Sequence, residues 1–299
     1  MRVGVLGAGA VGCYYGGMLA RAGHDVVLVG RPVHVEAMRD GLRVQTAQFD
    51  ERVPVRASTD AAALADCDVV IVAVKSGDST AAGEQLAEHL RADALVMSLQ
   101  NGVDNADRLA AALGGRRVEP VVVYVATEMA GPGHVRHHGR GDLAVGPGAQ
   151  SIVADFEAAG VPVVVGDVRA ALWGKLVANC AWNALSAITD RPYGWLAEID
   201  GAAGVLADVV AECRAVAAAD GIELPADLVA GVSSLATSMP AQRSSTAQDL
   251  SRGRPTEIEH LNGYVVRRGA ELGVPTPLNA LLTVLVRALE RVRAESAQS

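Results

Sequence analysis

The sequence predicts an α/β fold in two parts: an N-terminal doubly wound sheet over residues 1–166 and a C-terminal all-helical domain over residues 167–299. Three observations predict it. Within the first 30 residues a strand, a glycine-rich turn, a helix and a second strand follow one another, which is the order of a βαβ unit. Apolar strand-like runs then alternate with helical spacing as far as Gly166. Beyond that glycine the strand-like runs stop and helical spacing takes over. A chain of 299 residues also exceeds a single ordinary core, which agrees with two domains.

The elements follow in order. Arg2–Leu6 is a short apolar strand that runs into glycines, and residues 13–22 read as a helix closed by Gly23. Asp25–Val29 is the second strand. Residues 69–74 (VVIVAV) are apolar without alternation, as in a strand covered on both faces. Helical spacing covers 78–90, and 94–98 is a strand that ends at Gln100-Asn101-Gly102. A further strand covers 118–125, and the glycine-rich segment 131–146 is expected to add short antiparallel runs at the sheet edge. Helix 152–159 and strand 161–165 complete the first domain. In the second, Asp167 suits the N-cap of a long helix reaching about residue 188. Helices are expected near 204–219, 228–238, 256–272 and 278–292, the last two separated by Gly273, Pro275 and Pro277. The polar residues 295–299 are expected to fray.

Gly7-Ala8-Gly9-Ala10-Val11-Gly12 matches GxGxxG after a strand and at the opening of a helix, which marks a Rossmann-type domain. The first glycine permits a tight turn, the second lets backbone approach a pyrophosphate, and the third lets helix and strand pack closely. The N–H groups at the helix start suit a diphosphate. All six residues are therefore expected to bind a dinucleotide. NAD-selective domains place an acid about 20 residues after this turn, to hold the ribose 2′-hydroxyl. Here Gly30 and Arg31 stand at that place and no acid does. A guanidinium pairs with a 2′-phosphate, so NADP(H) is the expected cofactor, with a solvated surface arginine as the plainer alternative. Lys75 lies just past the run 69–74, at the strand ends where such sheets bind ligands.

The long helix carries a second signal. Its interior polar side chains are Lys175, Asn179, Asn183 and Ser186. They fall at roughly 0°, 40°, 80° and 20° around the axis, in one wedge of an otherwise apolar surface. A solvent edge usually carries several charges, whereas one lysine with two asparagines suits a ligand. A third polar cluster holds Ser244, Ser245, Gln248 and Asp249, followed by Pro255-Thr256-Glu257-Ile258-Glu259. Spacing alone does not bring Glu257 to Lys175. His134, His137 and His138 read as strand surface or edge residues rather than acid–base groups.

Composition excludes several classes. With 34 acids, 26 bases and a net charge of −8, the chain lacks a basic block for nucleic acid or an anionic membrane. No apolar run approaches the about 18 residues of a membrane span. The first residues run straight into a strand, with no room there for a signal peptide. Cys13, Cys67, Cys180 and Cys213 show neither CxxC spacing nor histidine neighbours at metal-ligand spacing, so no metal is expected. They read as buried thiols of a reducing, cytoplasmic compartment.

Read together, these pieces resemble the ketopantoate reductase (2-dehydropantoate 2-reductase) family along nearly the whole chain. They occur in the family's order: GAGAVG at the start, Arg31, AVKS at 73–76, QNG at 100–102, GKLVANCAWNALSAIT at 174–189, SSTAQD at 244–249 and PTEIEHLNGYVVRRG at 255–269. The resemblance implies NADPH-dependent reduction of 2-dehydropantoate to (R)-pantoate, a step of pantothenate biosynthesis. It implies that Lys175 is the general acid and that Glu257 binds the nicotinamide ribose side. It implies substrate contacts at Asn179, Asn183 and Ser245, and a place for Asn101 near both nicotinamide and substrate. Arg31, Lys75 and Ala126 would be cofactor contacts. Tyr193 stands where some members have an asparagine that touches substrate, and Trp182 replaces a smaller aliphatic residue.

The expected partner is thus a small 2-keto acid, and a homodimer is compatible with this reading. Three alternatives stay open. One is a reductase of another small 2-keto acid with the same chemistry. Another is a non-catalytic NADP sensor, against which Lys175, both asparagines and Glu257 argue together. The third is a β-hydroxyacid dehydrogenase, which lacks the QNG and TEIxxxNG blocks.

Overall fold

The structure, a computed structural model, describes residues 1–296. The chain divides into two compact units, Met1–Val168 and Arg169–Ser299.

The first unit runs β1 (Arg2–Leu6), α1 (Ala10–Arg21), β2 (Asp25–Val29), α2 (Pro32–Ala37), β3 (Leu42–Gln45), β4 (Asp50–Val53), β5 (Arg56–Ser58) and β6 (Val69–Val72). It continues with α3 (Ser79–Ala87), β7 (Leu95–Ser98), α4 (Asn105–Ala112), β8 (Val118–Gly131), β9 (His134–Val145), α5 (Val153–Ala158) and β10 (Val163–Val165). Strands β5-β2-β1-β6-β7-β8 are neighbours in that order and all parallel. The chain leaves β1 for β2 on one side and later joins β6 to β1 on the other. The ends of β1 and β6 therefore frame the switch point, where open α/β sheets bind ligands. Val3, Val5, Val70, Ile71 and Val72 are wholly buried, as strands covered on both faces require.

The sheet is mixed beyond β8. That strand runs on past its pairing with β7, which ends at Ser98 opposite Pro120, and returns as the antiparallel β9. The segment 131–146 was expected to supply short runs at an edge. It is antiparallel, but it is one long strand inside the sheet. Its far side is shared by β3, from Arg43 opposite His134, and by β10, from Val163 opposite Leu143. Gly139, Arg140 and Gly141 have φ of 154°, 58° and 126°, and the register with β8 shifts beside them. The glycines thus bend the ladder as bulges instead of ending it.

The second unit is helical: α6 (Val168–Thr189), α7 (Tyr193–Ala197), α8 (Ala202–Ala219), α9 (Leu228–Ser238), α10 (Ser245–Ser251), α11 (Asn262–Leu272) and α12 (Pro277–Ser296). α6 is the hub. Its Trp173, Leu176, Val177, Cys180, Ala181, Trp182 and Ala184 are buried, and the Trp182 indole donates to the Val232 carbonyl of α9 at 2.8 Å. The Asn262 amide of α11 donates to the Cys180 carbonyl of α6 and to Asn279 Oδ1 of α12, both at 3.0 Å. The Glu212 carboxylate of α8 accepts the N–H groups of Leu278 and Asn279 and so caps α12. Gly273, at φ 70°, closes α11 in the left-handed conformation.

Several helix limits differ from expectation. α1 begins at Ala10, not Cys13, with Gly9 as its N-cap. α11 begins only at Asn262; Leu261, at φ −111° and ψ −106°, separates it from a single 3-10 turn over Ile258–His260. α12 extends to Ser296, so the expected frayed tail is helical as far as it is described, and residues 297–299 lie outside the described residues. All four cysteines are buried and unpaired. Among the described residues no helix is long and apolar enough to cross a membrane.

Candidate active site

In the first unit the glycine turn bears directly on the switch point. The N–H groups of Gly7 and Ala8 both donate to the Val29 carbonyl, at 2.9 and 3.0 Å, which ties the turn to the end of β2. Gly7 has φ 109°, and a Cβ there would lie 2.6 Å from the Ala73 carbonyl carbon, so the turn packs on the chain leaving β6. A Cβ at Gly12 would overlap the Gly7 carbonyl oxygen and lie 2.8 Å from Val5 Cγ1. Gly9 is different: nothing lies within 4 Å of where its Cβ would be. The turn is thus sealed against protein at its first and third glycines and open at its second, as a cradle for a ligand's phosphates requires. Ala10, Val11 and Gly12 form the first turn of α1, whose N–H groups have no intrahelical acceptor, and no side chain caps it. These residues fit the diphosphate of a dinucleotide.

Around the turn, Arg31 is exposed directly after β2, as the N-cap residue of α2, with Nη2 3.4 Å from His34 Nε2. Lys75 is exposed at the end of β6. Ala126 is half-buried on β8, opposite Gly139. A groove of about 700 Å³ opens between α2 and β5, with Pro32, Met38, Arg56, Ser58 and Thr59 among its walls.

Asn101, half-buried in the loop after β7, belongs to a polar network that the sequence does not reveal. Its carbonyl accepts from Ser76 Oγ at 2.8 Å and from Asn105 Nδ2 at 2.6 Å. Ser79 Oγ lies 2.7 Å from Asn105 Oδ1 and 2.8 Å from Gln100 Nε2, and Gln100 Nε2 also donates to the Val74 carbonyl at 3.1 Å. Arg108 Nη1 donates to the Ser76 carbonyl at 2.7 Å. Ser76, Ser79, Gln100 and Asn105 are buried, so these bonds lock the Lys75 and Asn101 loops together at the strand ends. The one available signal was Asn105 four residues beyond Asn101 at a helix start.

In the second unit the polar wedge of α6 changes character along the helix. Lys175 and Asn179 are half-buried, Asn183 is 3% exposed and Ser186 is 0% exposed. Ser186 does not face a ligand, contrary to the expectation for the whole wedge. Its hydroxyl donates to the Arg191 carbonyl at 2.8 Å and accepts the Ser244 N–H at 3.1 Å. Ser244 Oγ donates to the Asn183 carbonyl at 3.1 Å and accepts the Ala247 N–H at 3.0 Å, capping α10 against α6. Ser245, the next residue, is exposed at the first position of α10.

The Tyr193 hydroxyl donates to Asn183 Oδ1 at 3.2 Å, and burial pushes its ionisation up, so it stays a phenol. Glu257 is 7% exposed just before the 3-10 turn, whereas Glu259 is bound at the surface by Arg287 and Arg267. Asp249 is buried on α10.

The three histidines of β9 are engaged structurally. His134 meets Gln45 Oε1 at 2.9 Å, His137 stacks on Tyr14 with centroids 4.5 Å apart, and His138 meets Glu128 at 3.2 Å. Among the described residues no group of three or more His, Cys, Asp or Glu side chains is arranged to hold a metal.

Comparison with known proteins gives this arrangement a context. Residues 3–150 match the family model described as ketopantoate reductase PanE/ApbA, and residues 167–290 match its C-terminal counterpart. The chain belongs to the ketopantoate reductase family. It is 35% identical to the 2-dehydropantoate 2-reductase of Halobacterium salinarum, over 97% of this chain and 99% of that one. A crystal structure of a PanE/ApbA family ketopantoate reductase from Ralstonia eutropha matches with a TM-score of 0.95 and 54% identity, over 98% of this chain and 100% of that one. D-mandelate dehydrogenase, solved with NADH and anilino(oxo)acetate, shares the fold, with a TM-score of 0.92 at 24% identity over 98% of this chain and 100% of that one. As a ketopantoate reductase family member the chain is an oxidoreductase that works with a nicotinamide cofactor.

Proposed function

We propose that this chain reduces 2-dehydropantoate to (R)-pantoate with NADPH, a step of pantothenate biosynthesis. The observation that carries the reading is the wedge on α6, where Lys175 and Asn179 are half-buried and Asn183 is buried on an otherwise apolar helix surface, which suits a ligand-facing set. The cofactor choice rests on Arg31, exposed at the end of β2 with no acid beside it, where a guanidinium pairs with a 2′-phosphate. Gly7, Ala8, Gly9, Ala10, Val11 and Gly12 would hold the diphosphate, and Lys75, Asn101 and Ala126 would complete the cofactor contacts.

When bound, NADPH supplies the hydride. Lys175 supplies the proton to the carbonyl oxygen and stabilises the negative charge that grows there. Glu257 organises the lysine and the nicotinamide ribose. Asn179, Asn183, Ser245 and Asn101 hold the keto acid in register for transfer. The test is oxidation of NADPH by the purified chain with 2-dehydropantoate; no turnover beyond the rate without substrate would remove the reading.

A second reading, reduction of another small 2-keto acid, is favoured by Trp182 and Tyr193, which pack with rings 5.0 Å apart beside Asn183, where the resemblance implies a smaller residue and an asparagine. A panel of 2-keto acids ranked by kcat/KM separates the two. The four buried, unpaired thiols support work in a reducing cytoplasm. A homodimer is supported by the exposed apolar stripe Leu281, Val284, Leu285 and Val292 on α12, and sedimentation reads it directly.

A further inference from the structure

Asn183 and Tyr193 form a pair whose polarity matters. The Asn183 side chain is almost wholly buried, and its Oδ1 accepts the Tyr193 hydroxyl at 3.2 Å. A phenol is a stronger donor than acceptor and an amide oxygen is the stronger acceptor of the two amide ends, so the bond fixes which end of the amide turns inward. Among the described residues the Asn183 amide nitrogen has no hydrogen-bond partner, and it is not sealed from solvent. The tyrosine is held in turn. Its ring lies 5.0 Å from that of Trp182, whose indole nitrogen is anchored to the Val232 carbonyl at 2.8 Å.

We infer that Tyr193 is a positioning residue that locks the Asn183 amide with its nitrogen outward, so that this position selects a hydrogen-bond acceptor, a carboxylate or keto oxygen of a 2-keto acid. The inference rests on the proposed role of Asn183 in holding substrate. Trp182 and Tyr193, the two positions at which the chain departs from the family pattern, then form one device. The indole braces the phenol, and the phenol orients the amide. Without the hydroxyl the amide is free to present either end, and substrate that needs a donor meets one only part of the time.

The test is a double-mutant cycle of Tyr193→Phe and Asn183→Ala, read by steady-state kinetics with NADPH and 2-dehydropantoate. Tyr193→Phe keeps the ring against Trp182 and removes only the hydroxyl. The expected result is a KM for the keto acid raised roughly 2- to 12-fold, the range of one net hydrogen bond, with kcat and the KM for NADPH unchanged. In the Asn183→Ala background the same change should have no further effect. An unaltered KM in Tyr193→Phe, with Asn183→Ala impaired, overturns the inference and leaves the substrate role of Asn183 standing. An equal penalty in both backgrounds also overturns it, because the hydroxyl then acts independently of the amide. A normal KM in Asn183→Ala removes the substrate role itself, and the inference with it. Should Asn183→Ala fail to fold, Asn183→Leu, which fills the space of the amide without an acceptor or a donor, takes its place in the cycle and is read in the same way.

Discussion

Gly12 packs so closely on the carbonyl oxygen of Gly7 that a side chain at Gly12 would overlap it, while Gly9, between them, faces open space. The two positions should therefore fail differently. Gly12→Ala forces helix α1 away from β1 and should lower stability by about 1–3 kcal/mol, the usual cost of overpacking. Gly9 already has φ −89° and ψ −168°, which alanine accepts. Gly9→Ala should keep its melting temperature and lose NADPH affinity, measured by titration of cofactor fluorescence. Equal destabilisation of both variants would mean that the turn is only a packing device.

Arg31→Ala should raise the KM for NADPH roughly 10- to 100-fold, as expected for a charge-assisted contact of about 1.5–3 kcal/mol. The KM for NADH should stay nearly constant, because NADH has no 2′-phosphate. Steady-state kinetics with each cofactor decide this, and parallel losses would remove Arg31 from the cofactor site.

Lys175→Ala should lower kcat/KM by about 10²- to 10⁴-fold, the usual worth of a positioned acid. NADPH binding should persist, since the glycine turn belongs to the other unit. Added methylamine should restore part of the rate. Near-normal turnover without the amine would mean that the proton comes from elsewhere.

Asn105 shows how the strand-end loops are held. Its amide bridges Asn101, Ser76 and Ser79. Asn105→Ala leaves buried polar partners unsatisfied and should cost about 1–3 kcal/mol. The loss should appear both in the chemical denaturation midpoint and in a higher KM for NADPH. A loss of stability with unchanged kinetics would confine the network to a structural role.

The Glu259 carboxyl is held below the usual range, chiefly by its hydrogen bonds to Arg287, with Arg267 adding to the effect. A group whose folded pKa is depressed stabilises the fold above its unfolded value of about 4.3. That contribution disappears as pH falls through the lower, folded value. Both partners are well exposed, so the effect is screened and worth roughly 0.5–1 kcal/mol. Glu259→Gln should therefore melt below wild type at pH 7 and converge with it as the pH falls through the lowered, folded value. A constant gap across that window would show that charge is not what Glu259 contributes.

The elements legible in the sequence are those whose pattern is local and strong. Arg2–Leu6, Asp25–Val29 and Leu228–Ser238 have the expected limits. The short pieces α2, β3, β4, β5 and α4 were not anticipated, because three to eight residues carry too little periodicity to stand out. β9 was misjudged because glycines that bend a strand look, in sequence, like glycines that end one. The same division holds for the site. The glycine turn and the Lys175–Asn183 wedge each lie within one local pattern. The bond of Ser79 to Asn105 spans 26 residues, and that of Ser244 to Asn183 spans 61, so only folding reveals them. Of two adjacent serines, helix capping decides that Ser244 is buried and Ser245 is left open.

The capping of α12 by Glu212 has a consequence for how the molecule is made. Asn262 and Asn279 are fully buried, and the Asn262 amide nitrogen and the Asn279 side chain find their partners only when α6, α8, α11 and α12 have come together. A nascent chain halted before Pro277 would leave the Asn262 amide and the Glu212 carboxylate facing an incomplete interior. All ten strands of the first unit, by contrast, have been synthesised by Val165. The glycine-turn unit can thus mature during synthesis, whereas the helical unit waits for α12 to leave the ribosome. A ribosome stalled over the final helix would then hold a folded first unit tethered to one that has not closed.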